Sequence, residues 1–220
     1  MIILIGNQKG GVGKSTIACN ISGMLVNRGH DIILVDSDEQ KTTSMWVEDR
    51  RAEQPTMVKI NSVQKFGDVD DALEDLNKRY EYVIVDAAGR DSRELRSALL
   101  VCDIIAMPFR SSAPDLKVLP LMEQMVRNSR RVNNKLRAFA FINSAPTNTQ
   151  GKDAFFARQA ISECNEIKLF EITIHDRRVF RDGMSEGLAV IEMNDDSSSA
   201  KLAKEEMENL LVEILNDEAV

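Results

Sequence analysis

Cysteine is scarce in this sequence, and the few cysteines do not form a metal-binding motif. The three cysteines among 220 residues are far apart, odd in number and outside spacings such as Cys-x-x-Cys. We therefore expect Cys19, Cys102 and Cys164 to be reduced, mostly buried thiols of a cytosolic protein.

Long hydrophobic runs are also missing. No apolar stretch approaches the roughly 18 residues that a membrane-spanning helix needs. The N-terminus has no basic head followed by a long apolar run, which a secretory signal would require. The sequence thus predicts a soluble, cytoplasmic protein that is not exported.

Positive charge is in deficit as well. The chain has 28 lysines and arginines against 35 aspartates and glutamates, which gives a formal net charge of -7. This balance argues against a protein that coats nucleic acid with its whole surface. Any DNA binding has to come from a local basic patch.

The sequence does contain a regular alternation of short apolar runs with longer stretches of helical period. The runs lie at residues 2–5, 31–36, 82–86, 103–108, 137–143 and 170–174, and "MVKI" near residue 58 is a weaker seventh candidate. Strand-helix units of this kind build a parallel sheet that is covered on both faces. We predict a single domain, residues 1–220, with a doubly wound, mostly parallel α/β sheet.

The C-terminal segment is predicted to be an amphipathic helix that packs on the domain. Asp195, Asp196 and the following serines offer a helix cap. The apolar stripe consists of Ala203, Met207, Leu210, Leu211 and Ile214, and the polar face carries Glu205, Glu206, Glu208, Glu213, Asp217 and Glu218. A membrane-surface helix is the alternative, but anionic lipid would repel so acidic a face.

The stretch "GNQKGGVGKSTIACN", residues 6–20, follows the first apolar run and opens the first helix. A turn in this position leaves backbone N–H groups unpaired at a helix N-terminus, where the dipole favours negative charge. Gly10, Gly11 and Gly13 let the backbone curl with its amides inward, so phosphate is the natural ligand. Lys14 can reach the terminal phosphates, and the Ser15 hydroxyl is placed to bind magnesium. Val12 and Thr16 complete the predicted nucleotide-binding loop.

The loop has two other interpretations. The usual phosphate-loop pattern has glycine where Gln8 stands, so a glycine-rich turn without a ligand is one alternative. A dinucleotide site is the other, because Asp36 ends the second run at the place of a ribose-binding acid. The dinucleotide alternative fails because Gly-x-Gly-x-x-Gly is not present around residues 11–16.

The departure from the usual pattern points to a particular family. "KGGVGKST" resembles the deviant Walker A motif of the ParA/MinD family of ATPases. The resemblance implies that Lys9 is the signature lysine, which reaches across a nucleotide-sandwich homodimer to the phosphates of the partner's ATP. Lys14 would neutralise phosphate in its own subunit, so that the two lysines serve two nucleotides and dimerisation depends on ATP.

Acidic residues end two of the predicted buried strands, where ligands bind in open α/β sheets. Asp36 and Asp38 in "VDSDEQ" resemble the family's second motif, and Asp86 in "VIVDAAG" resembles its Walker B aspartate. By this resemblance Asp38 positions the attacking water, while Asp36, Asp86 and Ser15 hold magnesium. Glu39 stands where partition ATPases usually carry proline, a departure that concerns the subfamily more than the fold.

The resemblance covers nearly the whole chain. "MPFRSSAPDL" and "RRVFRDGMSEGLAVIE" match later family segments, and "FINSAPTN" lies where the family recognises adenine, which makes Asn143 a candidate. The nitrogenase branch is excluded because the cysteines for its bridging iron-sulfur cluster are lacking. Since no winged or helix-turn-helix extension precedes residue 1, the resemblance is to short partition proteins such as ParF and Soj.

The resemblance implies a partition ATPase that binds ATP and Mg²⁺ in the cytoplasm and associates with the nucleoid in its ATP state. Its dimer would bind DNA without sequence preference, and a ParB-like centromere-binding protein would stimulate hydrolysis; no membrane is involved. Two basic clusters are candidates for the DNA contact: residues 127–137, and Arg177, Arg178 and Arg181 in a late helix. The second cluster is favoured because the family's DNA-contacting basic residues lie in the C-terminal part.

Other functions stay open at this point. A positioning ATPase for a protein cargo and a MinD-like regulator would use the same loop. A metabolic ATPase acting on a small substrate should turn over without DNA or a protein activator. A regulatory module that has lost hydrolysis would not depend on Asp38.

Overall fold

A computed structural model of the chain describes residues 1–147 and 152–216. Its strands are β1 (Ile2–Ile5), β2 (Ile32–Ser37), β3 (Asn61–Gln64), β4 (Tyr82–Ala87), β5 (Ile104–Phe109), β6 (Arg137–Ala145) and β7 (Lys168–His175). They form one sheet in the order β3-β2-β4-β1-β5-β6-β7. Neighbouring strands are parallel throughout, which confirms the predicted doubly wound sheet.

Helices connect the strands, as the crossover connections of a parallel sheet require. They are α1 (Lys14–Asn27), α2 (Thr42–Glu53), α3 (Asp70–Asn77), α4 (Arg93–Leu99), α5 (Ala113–Leu116), α6 (Leu119–Ser129), α7 (Lys152–Ser162), α8 (Arg178–Glu186) and α9 (Ser198–Asn216), with a short 3₁₀ turn at Val190–Glu192. None of the helices within the described ranges is both long and apolar enough to cross a membrane.

Two apolar layers bury the faces of the sheet. Helices α1, α2, α8 and α9 cover one, called here the α1 face. Helices α3, α4, α6 and α7 cover the other, the α6 face. The predicted stripe of α9 is buried in the first layer, so this helix packs on the domain, whereas Asp217 and Glu218 lie outside the described residues.

The six stronger apolar runs coincide with strands, but the seventh was misplaced. "MVKI" at residues 57–60 is not a strand; β3 begins one residue later, at Asn61. The side chains of Arg50 and Arg51 donate hydrogen bonds to the carbonyls of Val58 and Ile60, at 3.1 and 3.2 Å. These two carbonyls therefore accept hydrogen bonds from arginines of α2 and not from a neighbouring strand.

The topology gathers the predicted site residues at one edge of the sheet. Strand β1 lies between β4 and β5, where the direction of winding reverses, and such points form ligand crevices beyond the C-terminal strand ends. Asp36 of β2 lies opposite Asp86 of β4 in the ladder, and Asp86 lies opposite Ile5 of β1. The glycine-rich loop and both carboxylates thus meet at the same level.

Candidate functional site

A cleft of about 820 Å³ opens at this edge, a size typical of small-molecule sites. Its walls come from the glycine-rich loop, from the loops after β2, β4 and β5, and from the ends of β6 and β7. The lining includes Gly10, Gly11, Gly13, Lys14, Ser15, Thr16, Asp38 and Asn143. Asp36 and Asp86 lie beneath this lining and are fully buried.

The backbone of the loop adopts a conformation that glycine permits. Gly11 and Gly13 have φ values of +72° and +91°. The Asn143 side chain donates a hydrogen bond of 2.6 Å to the Val12 carbonyl, and a Cβ on Gly13 would lie 2.3 Å from Asn143 Nδ2. Asn143 therefore holds the phosphate loop from β6, and Gly13 provides the space for that contact.

Lys14 is buried at the base of the loop. Its Nζ donates a hydrogen bond of 3.1 Å to the Lys9 carbonyl. Burial lowers the pKa of Lys14, although the Asp86 and Asp38 carboxylates act in the opposite direction. A Cβ on Gly89 would lie 2.9 Å from this Nζ, so the loop after β4 closes tightly over the lysine.

Asp86 is a buried carboxylate whose two oxygens make no hydrogen bond to any described residue. Burial raises its pKa to about 7. The nearby Ser15 hydroxyl and the Lys14 ammonium lower the pKa of Asp86, whereas the Asp36 and Asp38 carboxylates raise it. Such an orphaned pair of oxygens fits a position that a cation and its waters would occupy.

Asp36 and Asp38 shape the turn after β2. Asp36 accepts hydrogen bonds from the Asp38 amide at 3.1 Å and from the Ser44 amide of α2 at 2.8 Å. Asp38 accepts one from the Gln40 amide at 3.0 Å and lines the cleft. Asp36 thus anchors the turn, and Asp38 presents a carboxylate to the ligand space.

Lys9 lies at the rim. Its side chain is 40% exposed, and its Nζ is 3.5 Å from Asp115 of α5. Its amide donates to Asn7 Oδ1 at 2.9 Å, which fixes the backbone of the loop at this residue. Lys9 does not line the cleft that the described residues form. Its charged end therefore faces outward, toward α5.

The three arginines predicted to contact DNA differ in their environments. The Arg177 side chain is only 9% exposed and bonds Glu206 of α9 at 2.7 Å. Arg178 and Arg181 are 84% and 68% exposed, and each pairs with an aspartate of its own region. In the alternative cluster at 127–137, Arg127 and Arg130 both bond Glu166. Of the three arginines predicted to contact DNA, Arg178 and Arg181 thus present their charge on the surface, whereas Arg177 does not.

Sequence reasoning missed several residues of the cleft. Arg110 follows β5, His175 ends β7, and Phe180 and Met184 of α8 contribute an apolar part of the wall. Only acidic residues were predicted as ligands at the strand ends. Arg110 and His175 are basic residues at strand ends, so the same rule extended to all charged residues would predict them. Asn148, the last residue of "FINSAPTN", lies outside the described residues.

Known proteins with related sequences and folds include positioning and partition ATPases. Maintenance of carboxysome distribution protein A from Halothiobacillus neapolitanus is 27% identical over 218 residues, which cover 97% of this chain and 95% of that protein. A variant of Cyanothece McdA in complex with ATP has a TM-score of 0.77 at 15% identity, covering 98% of this chain and 96% of that one. A putative plasmid partition protein from Borrelia burgdorferi, bound to AMPPNP, has a TM-score of 0.68 at 18% identity, with 96% and 98% covered.

A family model gives the assignment. The model described as "MipZ: ATPase MipZ" matches residues 1–134, more than half of the 220-residue chain. This match and the relatives above confirm the resemblance to ParA/MinD-type ATPases that the motifs indicated. The chain belongs to the MipZ family of ATPases.

Proposed function

We propose that this ATPase is a positioning protein that binds ATP with Mg²⁺ and dimerises around two nucleotides. The dimer would bind a cellular structure, called here its track, and would release it on hydrolysing the nucleotides. The observation that carries the proposal is the glycine-rich loop, in which a buried Lys14 and an outward-facing Lys9 emerge five residues apart. One domain, residues 1–220, would perform the whole cycle.

The nucleotide would lie along the loop from Gly10 to Thr16, most of whose residues line the cleft, with Lys14 at its terminal phosphates. The side chains of the site are also suited to binding magnesium. Within the described residues no group of three or more His, Cys, Asp or Glu side chains could hold a metal alone, so phosphate oxygens and waters would complete its shell. Ser15 would bind the ion directly, and Asp36 and Asp86 would hold its waters. Bound magnesium would neutralise charge on the phosphates.

Asp38 is the residue we assign to the attacking water. Its carboxylate lines the cleft, and hydrogen bonds to the backbone on both sides hold the turn that carries it. A carboxylate so positioned can orient a water for in-line attack.

Lys9 is assigned to the partner subunit's nucleotide. Its ammonium points away from its own cleft, and within the described ranges it pairs with one carboxylate, that of Asp115. A charge-assisted contact to phosphate is worth about 1.5–3 kcal/mol, and a two-fold dimer makes it twice. Dimerisation would therefore require ATP in both subunits.

Nucleoid DNA is the track that we propose, and it would give the ATP state a nucleoid location. Arg178 and Arg181 are the exposed basic residues of α8, the helix that also forms part of the cleft wall. Dimerisation would double this modest patch, so that an acidic protein binds DNA only in the ATP state. Arg177 does not belong to this surface, because its side chain is largely buried and pairs with Glu206.

The cargo partner is either a ParB-like centromere-binding protein or the adaptor of a protein cargo. The carboxysome distribution protein, similar along almost its whole length, favours a protein cargo. Capturing the partner on an ATP-bound Asp38→Ala protein and measuring its DNA binding separates the two. A partner that binds one DNA site specifically supports partition, and one that binds no DNA supports the protein cargo.

The test of the function is DNA retention by the purified protein with ATP, ADP or no nucleotide, at 50 and 200 mM salt. We expect retention with ATP alone, and for about four phosphate contacts a loss of affinity of roughly a hundredfold between the two salt concentrations. Arg178→Ala should weaken retention. Arg79→Ala is the matched control, because Arg79 is also an exposed arginine paired with an aspartate four residues away.

Absence of DNA binding in every nucleotide state, with hydrolysis intact, would contradict the DNA track. A small-substrate metabolic ATPase would then be favoured if turnover were full without any protein activator. A MinD-like regulator would be favoured if a protein partner alone stimulated hydrolysis.

A further inference from the structure

Arg110 is an exposed arginine in the wall of the cleft, directly after β5. Neither the sequence motifs nor the functional proposal above uses it. Among the residues that the structure describes, its side chain has no hydrogen-bond or ion-pair partner.

The pairing of the other basic groups in the cleft makes Arg110 unusual. Arg90 bonds Glu39 at 2.8 Å, Arg181 bonds Asp176 at 2.9 Å, and His175 bonds Glu206 at 2.8 Å. Lys14 lies buried near Asp86 and Asp38. Each of these groups thus has a carboxylate of the same chain beside it, whereas Arg110 lines the cleft with no carboxylate of residues 1–147 or 152–216 paired to it. An unneutralised cation in a concave wall attracts an anionic ligand.

The register of the sheet places Arg110 at the level of the phosphate loop. Phe109 pairs with Ile142 at the end of the ladder between β5 and β6, and Arg110 and Asn143 are the residues that follow them along the sequence. Asn143 is the residue that bonds the Val12 carbonyl of the loop. On the other side of β5, the Asn7 side chain bonds the carbonyl of Pro108, only two residues before Arg110.

The alternation of β5 gives the side of the sheet. Ala106 packs in the layer of the α1 face, and Met107 and Phe109 pack in the layer of the α6 face. Continued by one residue, this alternation directs Arg110 to the α1 face, the side on which the phosphate loop and α1 lie. Phe109, fully buried, anchors the strand end that carries it.

We infer that the Arg110 guanidinium binds the phosphate chain of the bound nucleotide, which makes it a further nucleotide-binding residue of the ATPase site. This inference rests on the proposed function. A guanidinium presents a planar fork of donors that matches two phosphate oxygens, whereas lysine supplies only a point charge. The phosphates are those of the same subunit's ATP or those of the partner's, and the two cases give different results below.

The experiment measures MgATP binding by calorimetry for the wild type, Arg110→Ala, Arg110→Lys and the exposed control Arg79→Ala. All four are made also in a Lys9→Ala background, confirmed as monomeric by sedimentation. Loss of a charge-assisted contact should weaken ATP binding about tenfold or more, and lysine should restore part of it. Thermal unfolding should be unchanged in Arg110→Ala, since the side chain is exposed and unpaired within the described chain.

Weaker ATP binding in the monomeric background supports a contact to the same subunit's phosphates. Unchanged ATP binding in that monomeric background, together with a loss of ATP-dependent dimerisation when Arg110→Ala is made in the protein that keeps Lys9, supports a contact to the partner's phosphates. ATP binding and dimerisation both within twofold of the Arg79→Ala control would overturn the inference. A wild-type protein that bound no ATP would instead overturn the proposed function, so the two failures are distinguishable.

Discussion

Gly13 and Gly67 have similar backbone conformations, with φ of +91° and +79°, but different surroundings. A Cβ at Gly13 would lie 2.3 Å from Asn143 Nδ2, whereas a Cβ at Gly67 would meet nothing within 4 Å. The left-handed backbone should cost each alanine variant about 1–2 kcal/mol of stability, because alanine disfavours this region, and the overlap with Asn143 adds to the cost of Gly13→Ala.

Only Gly13→Ala should also abolish ATP binding, since Asn143 would have to release the phosphate loop. Urea unfolding measures the shared cost, and calorimetry measures the ATP binding that separates the two variants. Normal ATP binding by Gly13→Ala would contradict the role assigned to the contact between Asn143 and the loop.

Asp86 should make the stability of the magnesium-free, nucleotide-free protein depend on pH. Its folded-state pKa of about 7 lies above the ordinary value of 3.8, because burial disfavours its charge. The folded protein therefore holds a proton that the unfolded chain releases above about pH 4, and the corresponding stability is lost as the pH rises toward 7.

Asp86→Asn stays neutral throughout. Its free energy of unfolding in EDTA should exceed the wild type's by about 2 kcal/mol or more at pH 8, and the difference should shrink toward pH 4. Urea unfolding at several pH values measures this difference. A constant difference across that range would show that the Asp86 carboxyl does not titrate as its burial requires.

At this scale the residues of the loop were predictable, because glycine, lysine and serine spacing encodes a local backbone shape. The environment of Arg177 was not. Its partner Glu206 is 29 residues away along the chain, on a helix that must first dock on the sheet. Asp115, the partner of Lys9, is likewise brought in by the fold of another element.

At the scale of elements, a buried ion pair ties α2 to the segment that follows α8. The Arg50 guanidinium makes two hydrogen bonds to Glu192, at 2.6 and 2.7 Å, and both side chains are nearly inaccessible to solvent. Arg50 also bonds the Gly187 carbonyl at 3.1 Å. The ion pair therefore holds α2, which follows the Asp38 turn, against the segment after α8, the proposed DNA-binding helix.

Glu192→Ala should cost about 3–5 kcal/mol in the free energy of unfolding, because it leaves the buried Arg50 charge without the carboxylate that neutralises it. Asp75→Ala, which removes the partner of Arg79 in an exposed pair, should cost less than about 1 kcal/mol. Urea unfolding of both variants makes the comparison. Equal costs would mean that the Arg50–Glu192 pair does not fasten α2.

The same arginine explains what the pattern of elements missed. Strands β1, β2, β4, β5 and β6 follow from apolar runs because they are buried on both faces, and the edge strand β7 still has a run because Phe170 and Ile174 are buried. The other edge strand, β3, is short, has only partly buried or exposed residues, and has no such run. "MVKI" has the apolar composition of a strand, yet its carbonyls bond the arginines of α2. Hydrogen bonds from the preceding helix decided the boundary there.

At the scale of the whole molecule, the sheet presents the phosphate loop, Asp38 and the outward-facing Lys9 at one edge, and α8 beside them. Two copies that met at this edge would each place Lys9 toward the other's cleft and bring their two α8 helices into one assembly. Nucleotide state, dimerisation and DNA binding would then change together.

The most direct measurement is the mass in solution of the wild type, Lys9→Ala, Lys14→Ala and Asp38→Ala with ATP, with ADP and without nucleotide, by sedimentation velocity. We expect an ATP-dependent dimer for the wild type, a lasting dimer for Asp38→Ala because hydrolysis is blocked, and monomers for both lysine variants. Lys9→Ala should still bind ATP, whereas Lys14→Ala should not. A Lys9→Ala protein that dimerised normally with ATP would contradict the assignment of the two lysines to two nucleotides.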